Sequence, residues 1–387
     1  MKERQRLVQA YLTGRFTITQ LAESFGVSRK TVHKFLQRYR QSGPAGLVDR
    51  SHAAHHHPNA TPASVAAAVI RQKRANPTWG PLKLQPGAKD DEAIRDAWPA
   101  PSTRGLILAR AGLTRARRRR PRVPPSQPFG AIDQPNATWC ADFKGWFRTT
   151  DGERCDPFTV SDAYSRMLFC CRILPRTDYA HVRATMEGLF RQYGLPEAIR
   201  TDNGPPFASV AAGGLSRLAV WWVKLGIRPE RIQPGHPEQN GRHERMHLTL
   251  MPICHPAAAT SSAQQRRFDA FLPSFNFLRP HQALGQKPPA TFYYPSPRQY
   301  PRKLEDPVYE DDVIIRRVRT NGEIRWEGKL VFLSEALIGE AVGIRETEEG
   351  YAVAFGPISL GVLDAKRGRL IKHTTTRSKV EICNPSA

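Results

Sequence analysis

The chain has 387 residues, 40% of them hydrophobic, with 58 Lys and Arg against 35 Asp and Glu and a formal net charge of +23 at neutral pH. That length supports two to four domains, each with its own core. The cation excess selects a polyanionic partner, because Lys and Arg release counterions from a phosphate backbone. No apolar stretch of about 18 residues and no signal peptide is read in the sequence, so a membrane protein is excluded and a soluble, cytoplasmic chain is expected. The six cysteines, at positions 140, 155, 170, 171, 254 and 383, form no CxxC pair. They read as buried, reduced thiols, which excludes a disulfide framework and a zinc module. Residues 1–130 hold 24 Lys and Arg against 7 Asp and Glu, which puts +17 of the charge in the first third of the chain.

Residues 1–50 read as a helix-turn-helix. Thr17 and Gln20 fit a capping box that opens a helix with Leu21, Ala22 and Phe25 at helical spacing. Gly26 permits the turn and Ser28 caps a second helix. Val32, Phe35 and Leu36 face inward there, and Arg29, Lys30, Thr31, His33 and Lys34 face outward. Such a helix enters a major groove, so Ser28 and these outward residues are the candidate DNA contacts.

Residues 51–128 read as a second region. From Gln41 onward the chain is rich in Gly, Pro, Ser and His, the signature of a linker, and His55, His56 and His57 read as a solvated loop. Val65 to Leu113 is mostly helical, a second candidate DNA-binding unit, with an irregular middle at QPGAKDDEAIRD. Arg115 to Pro128 is a basic, proline-stiffened tether whose Arg117, Arg118, Arg119 and Arg120 are expected to track a phosphate backbone.

Residues 129–300 read as an α/β core. Ala137 to Gly152 is a strand carrying Asp142 and ending in a hairpin turn at Asp151-Gly152. DPFTVSDAY and MLFCCRIL supply two more antiparallel strands, and Thr177 is a plausible cap for the helix that follows. PEAIRTDNG is a short strand delivering Asp202 at its carboxyl end, where open α/β sheets place their ligands. LAVWWVKLG is a helix, IRPERIQP an edge segment, and NGRHERMHLTL a helix carrying Glu244. Two aspartates and a glutamate so placed are the minimum equipment for holding two divalent ions against a phosphodiester. Asp162 reads as a turn cap. Residues 301–387 change to short alternating strands with a tight hairpin expected at Asn321-Gly322, a small all-β barrel or sandwich. Arg316, Arg317, Arg319, Arg325 and Trp326 form either a DNA-holding face or a purely structural one.

WCADFKG, DAYSR, TDNGPPF, QNGRHERMH and FNFLRPHQALGQKPPATFY together resemble the motifs of DDE-type bacterial insertion-sequence transposases with a retroviral-integrase-like catalytic core. The resemblance covers roughly residues 130–300, and the helix-turn-helix before it matches the usual companion. It implies a multidomain chain with a ribonuclease-H-like core and a transposase that cuts and joins DNA. It implies catalysis and metal binding by Asp142, Asp202 and Glu244, with two Mg²⁺ ions, replaceable by Mn²⁺, bridged by Asp142 and each held by one of the others. Double-stranded DNA, at element ends and target, and a homo-oligomer on DNA are the implied partners, in a nucleoid-associated setting without membrane or nucleotide cofactor.

Glu238 competes with Glu244 for the third acid. It stands 35 intervening residues after Asp202, the spacing of many relatives, whereas Glu244 stands 41 after it. Glu244 is preferred because it follows Asn240 by four positions, as the family glutamate does, and lies inside a helical segment. The family's DNA-gripping lysine after the glutamate is replaced here by LTLM, so Arg242, Arg245 and His247 are the expected substitutes. A DNA-binding regulator with an inactive nuclease core, or a host nuclease of the same fold, fits the same motifs.

Overall fold

The computed structural model describes residues 2–49, 59–87, 89–114, 129, 131–209, 211–348, 350–364 and 367–371. The histidines at 55–57, the arginines at 117–120 and Cys383 lie outside these residues. The chain divides into two compact units, Met1–Pro62 and Ala63–Ala387.

The first unit is a helix-turn-helix of α1 (Lys2–Leu12), α2 (Ile18–Ser24) and α3 (Arg29–Ser42). Thr17 and Gln20 form the expected capping box, and the Ser28 hydroxyl accepts from the Thr31 amide at 3.2 Å. Leu7, Leu21, Val32, Phe35 and Leu36 make the core. Arg29, Lys30, His33 and Lys34 are exposed, so the basic face is free of the packing. The linker begins later than the composition suggests. A 3₁₀ turn at Gly43–Leu47 folds back and buries Leu47 completely, and Gly46 is required there because a Cβ would lie 2.2 Å from the Arg38 carbonyl oxygen.

The second unit opens with α4 (Ala63–Ala75), α5 (Glu92–Asp96) and α6 (Pro101–Arg110), packed around Val69, Leu84 and Leu108. The acidic run between them has structural work. Asp90 is buried, pairs with Arg71 and accepts from the Gly87 amide at 2.6 Å, while Asp91 caps α5.

A five-stranded sheet follows, built from β1 (Thr138–Phe143), β4 (Pro157–Asp162), β5 (Leu168–Ile173), β6 (Ala198–Thr201) and β7 (Arg228–Arg231) in the spatial order β5-β4-β1-β6-β7. β1 runs antiparallel to β4 and parallel to β6. Between β1 and β4 lies a small ribbon, β2 (Phe147–Arg148) and β3 (Arg154–Cys155). Asp151-Gly152 turns this ribbon rather than the main hairpin, so the long first strand expected from the sequence is broken after Phe143. α7 (Tyr179–Tyr193) is capped by Asp178, not Thr177, whose place one residue earlier leaves it outside the cap geometry. α8 (Arg217–Lys224), α9 (Gly241–Cys254) and α10 (Ser261–Pro273) complete this part. Trp139, Phe158, Val182, Phe190 and Trp222 fill its core. The order of three strands, helix, strand, helix, edge strand and helix is that of a ribonuclease-H-like fold.

Beyond it stands an antiparallel sheet of β8 (Ile314–Arg317), β11 (Ala341–Thr347), β12 (Gly350–Phe355), β13 (Ile358–Asp364) and β14 (Arg369–Ile371), with a separate ribbon of β9 (Glu323–Trp326) and β10 (Lys329–Phe332). β8 pairs with β11, and the expected tight turn at Asn321-Gly322 is present, with the Arg319 amide donating to the Glu323 carbonyl at 2.8 Å and the Gly322 amide to the Arg319 carbonyl at 2.9 Å. The two-residue hairpin is at Glu327-Gly328, where both φ angles are positive, at 44° and 78°, as a type I′ turn demands. At the other turn only Gly322 has positive φ. α8 is apolar on opposite sides. Leu218, Trp221 and Trp222 enter the core of the mixed sheet, while Ala219, Val220 and Val223 pack with Val318, Val342 and Phe355 of the β module.

Asn276 clamps β5 from the segment after α10. It is fully buried, its Oδ1 accepts from the Leu168 amide at 2.9 Å and its Nδ2 donates to the Leu168 carbonyl at 2.8 Å. Asn276→Leu strips both partners from a dry site, at about 1–3 kcal/mol for each unsatisfied group. We expect a clear fall in unfolding midpoint in urea, with the helix-turn-helix unchanged in far-UV signal.

Candidate active site

Two strands and one helix bring the expected acids together. β1 and β6 are parallel, with Cys140 paired to Arg200, so continuing both strands by two residues brings Asp142 and Asp202 to the same end of the sheet. Asp202 follows β6 directly, and the Gly204 amide donates to its Oδ1 at 3.1 Å. Glu244 lies in the first turn of α9.

The electrostatics follow from this crowding. Burial, together with the neighbouring Asp202 and Glu244 charges, pushes the Asp142 carboxyl up to about 7, against the Phe143 amide and Lys144. Burial also raises Glu244, with the Glu238 charge adding to it. Glu238 sits in a 3₁₀ turn, bonded to His236 Nδ1 at 2.8 Å, and that bond lowers its pKa. Asp142 thus feels the charges of Asp202 and Glu244, and Glu244 that of Glu238.

Residues of β4 fix α9 beside Asp142. Thr159 pairs directly with Asp142 across the two strands. Its hydroxyl lies 3.0 Å from the Asp142 carbonyl and 2.8 Å from Nε2 of both His243 and His247, while Ser161 Oγ meets His243 Nδ1 at 2.8 Å. His247 is therefore turned into the sheet and does not take the outward, DNA-gripping place expected of it. Its Nδ1 lies 4.0 Å from Asp142 Oδ2. Lys144 is a further neighbour that the sequence reading passed over. Its i+2 position from Asp142 on a strand was the available signal, since alternate residues share a face.

Beside Glu244 and Glu238 opens a cleft of about 2200 Å³, lined on one side by the α4–α6 region and on the other by α9 and the segment after α10. Its wall carries Lys83, Arg166, Arg242, Arg245 and Arg279. Burial and the Arg279 and Arg245 charges lower Lys83 to about 8, and burial and Arg245 lower Arg279 to about 10. Cations held this close favour an anion between them. Arg242 donates to the Ala163 carbonyl at 3.0 Å, so part of its donor set is spent on the fold. Asp162 is a turn cap, as expected: it accepts from the Ser165 amide and hydroxyl at 2.6 Å each and from the Asn136 amide at 2.8 Å.

Family profiles match the chain in three stretches: "Helix-turn-helix domain" over residues 3–55, and "Integrase core domain" over residues 132–237 and again over 225–289. The chain carries an integrase core domain behind a helix-turn-helix domain. It is homologous to proteins of bacterial insertion elements. It is 28% identical over 295 residues to the insertion element IS476 uncharacterized 39.2 kDa protein of Xanthomonas euvesicatoria, covering 74% of this chain and 81% of that one. It is 30% identical over 160 residues to the insertion element IS407 uncharacterized 31.7 kDa protein of Burkholderia multivorans, covering 41% of this chain and 55% of that one. Among solved structures it is similar to the HTLV-2 integrase catalytic core domain in complex with magnesium, at 15% identity and a TM-score of 0.32, covering 42% of this chain and 99% of that one. Among the described residues no helix is long and apolar enough to cross a membrane.

The integrase core domain so identified contains Asp142, Asp202 and Glu244, and the donor set suits a hard divalent cation. The Asp202 and Glu244 carboxylates raise the pKa of Asp142, and a cation bound among these oxygen donors relieves that repulsion. In the unfolded chain an aspartate titrates near 4, whereas Asp142 in the fold keeps its proton up to about 7. The cost of ionising it inside the fold is absent below about pH 4, grows between the two values and is complete above about 7. Asp142→Asn removes that cost. We expect calorimetry in metal-free buffer to show a higher Tm than the unmutated protein at about pH 8 and no difference at about pH 4.

Proposed function

We propose that this chain is a transposase that binds the ends of a mobile DNA element, hydrolyses a phosphodiester there and joins the freed 3′-hydroxyl to target DNA. The observation that carries this reading is that, in an integrase core domain, the Asp202 and Glu244 charges act on Asp142 at one end of the sheet, beside a basic cleft. Asp142 and Asp202 come from neighbouring strands and Glu244 from a helix pinned to the sheet, so the three carboxylates are positioned before substrate arrives. They would hold two Mg²⁺ ions, with Mn²⁺ as substitute, which lower the pKa of a bound nucleophile and stabilise the leaving oxygen. Lys83, Arg245 and Arg279 hold the phosphates of the strand that runs past Glu244, and the helix-turn-helix reads bases through Arg29, Lys30, Thr31, His33 and Lys34. Two ends must be held for joining, so the working form is a homo-oligomer on DNA.

Cleavage of end-containing DNA with Mg²⁺ tests the chemistry. Asp142→Asn, Asp202→Asn and Glu244→Gln should each lower the rate by at least about a thousandfold while DNA binding persists, and Glu238→Gln should retain most of it. Normal cleavage by Glu244→Gln with a dead Glu238→Gln would move the third acid. No cleavage by the unmutated protein would make it a DNA-binding regulator.

Lys83 tests the cleft separately. With a pKa of about 8 it is charged below that value and neutral above it, so DNA affinity should fall as pH rises from about 7 to 9. Lys83→Arg should flatten that dependence, and Lys83→Ala should reduce the slope of log affinity against log salt by about 1 in fluorescence anisotropy.

A further inference from the structure

The Thr159 hydroxyl carries one proton and three neighbours. The Asp142 carbonyl can only accept, so the proton goes there, at 3.0 Å. Both imidazole Nε2 atoms, each at 2.8 Å, must then donate N–H to the two lone pairs of the Thr159 oxygen. This sets both tautomers. His243 is fully used, because its Nδ1 accepts from Ser161 at 2.8 Å. His247 is not. Its Nδ1 carries a lone pair, finds no hydrogen-bond donor among the described residues, and faces Asp142 Oδ2 at 4.0 Å.

Asp142, His243 and His247 bring one possible ligand atom each within 4.8 Å of one another. Since His243 has no free nitrogen, the usable pair is Asp142 with His247. Two electron-pair donors converging without a proton between them suit a cation. The 4.0 Å gap is within the roughly 4.2 Å that two bonds of about 2.1 Å can span. An imidazole that donates its second nitrogen to a fixed oxygen is also how proteins orient a ligating histidine. His247 is three positions after Glu244 on α9, so the two side chains are neighbours on the helix surface.

We propose that His247 is a nitrogen ligand, through Nδ1, of the divalent ion held by Asp142, and that it biases this site toward a first-row transition ion such as Mn²⁺ over Mg²⁺. Mg²⁺ is bound almost wholly by oxygen, whereas imidazole favours ions later in the transition series. The assignment rests on the carboxylate site proposed above.

Pulsed EPR of the full-length protein titrated with Mn²⁺ tests it, because a directly bound imidazole imprints a ¹⁴N modulation on the signal. The unmutated protein should show that modulation. His247→Gln keeps an amide N–H for Thr159 but has no Nδ1; it should lose the modulation and about tenfold in Mn²⁺ affinity, with Mg²⁺ affinity changed less than about twofold. His243→Gln should keep the modulation. Persistence of the modulation in His247→Gln, or its absence in unmutated protein whose Mn²⁺ binding is abolished by Asp142→Asn, would overturn the assignment and leave His247 a helix anchor. Mn²⁺ binding that Asp142→Asn leaves untouched would instead sink the carboxylate site itself, and His247 with it.

Discussion

A single hydroxyl on β4 decides where α9 lies. Thr159 stands opposite Asp142 in the strand register, and the two imidazoles of α9 meet on its oxygen. Because a hydroxyl has one proton and two lone pairs, this junction has one solution, and it fixes the strand, the helix and two tautomers together. Glu244 is carried on the first turn of the same helix, so its distance from the sheet is set by the rigid core rather than by a loop. Burial at this junction, with the Asp202 and Glu244 charges beside it, is what raises the pKa of Asp142.

Charge outside the acids is arranged against them. The cleft next to Glu244 takes Lys83 from the α4–α6 region and Arg245 and Arg279 from the core. Burial and the neighbouring cations lower the affinity of Lys83 and of Arg279 for their protons, a strain that a phosphate strand would offset. The α4–α6 region therefore contributes cations to the core's own cleft. Its irregular middle serves this placement, with buried Asp90 tied to Arg71 and to the Gly87 amide so that the chain can reverse without a long helix.

Much of this was legible in the sequence because local chemistry and fold agreed. The capping box at Thr17, the short run TWCADF around Asp142 and the amphipathic α3 each specify their element without help. The helical setting of Glu244 was legible too. The misreadings have physical causes. The Gly-Pro stretch after Tyr39 looked like linker because 3₁₀ turns share linker composition, and only tertiary packing of Leu47 distinguishes them. The Asn-Gly turn in the β module is there, but the second turn at Glu327-Gly328 was missed, because a glutamate with positive φ carries no turn signal of its own. The inward turn of His247 was illegible because it depends on the hydroxyl of Thr159, 88 residues away in sequence.

The two-sided helix α8 has a consequence for how the molecule comes apart. Its eight residues serve two hydrophobic cores at once, and Lys224 at its end pairs with Asp306 at 3.2 Å and Glu340 at 2.8 Å. Neither core can melt alone without stripping one side of this helix to water. The β module is therefore not an arm that can swing away from the sheet carrying the acids; heat or denaturant should release both in one cooperative step, and a chain cut near residue 300 would lose solubility before it lost its acids.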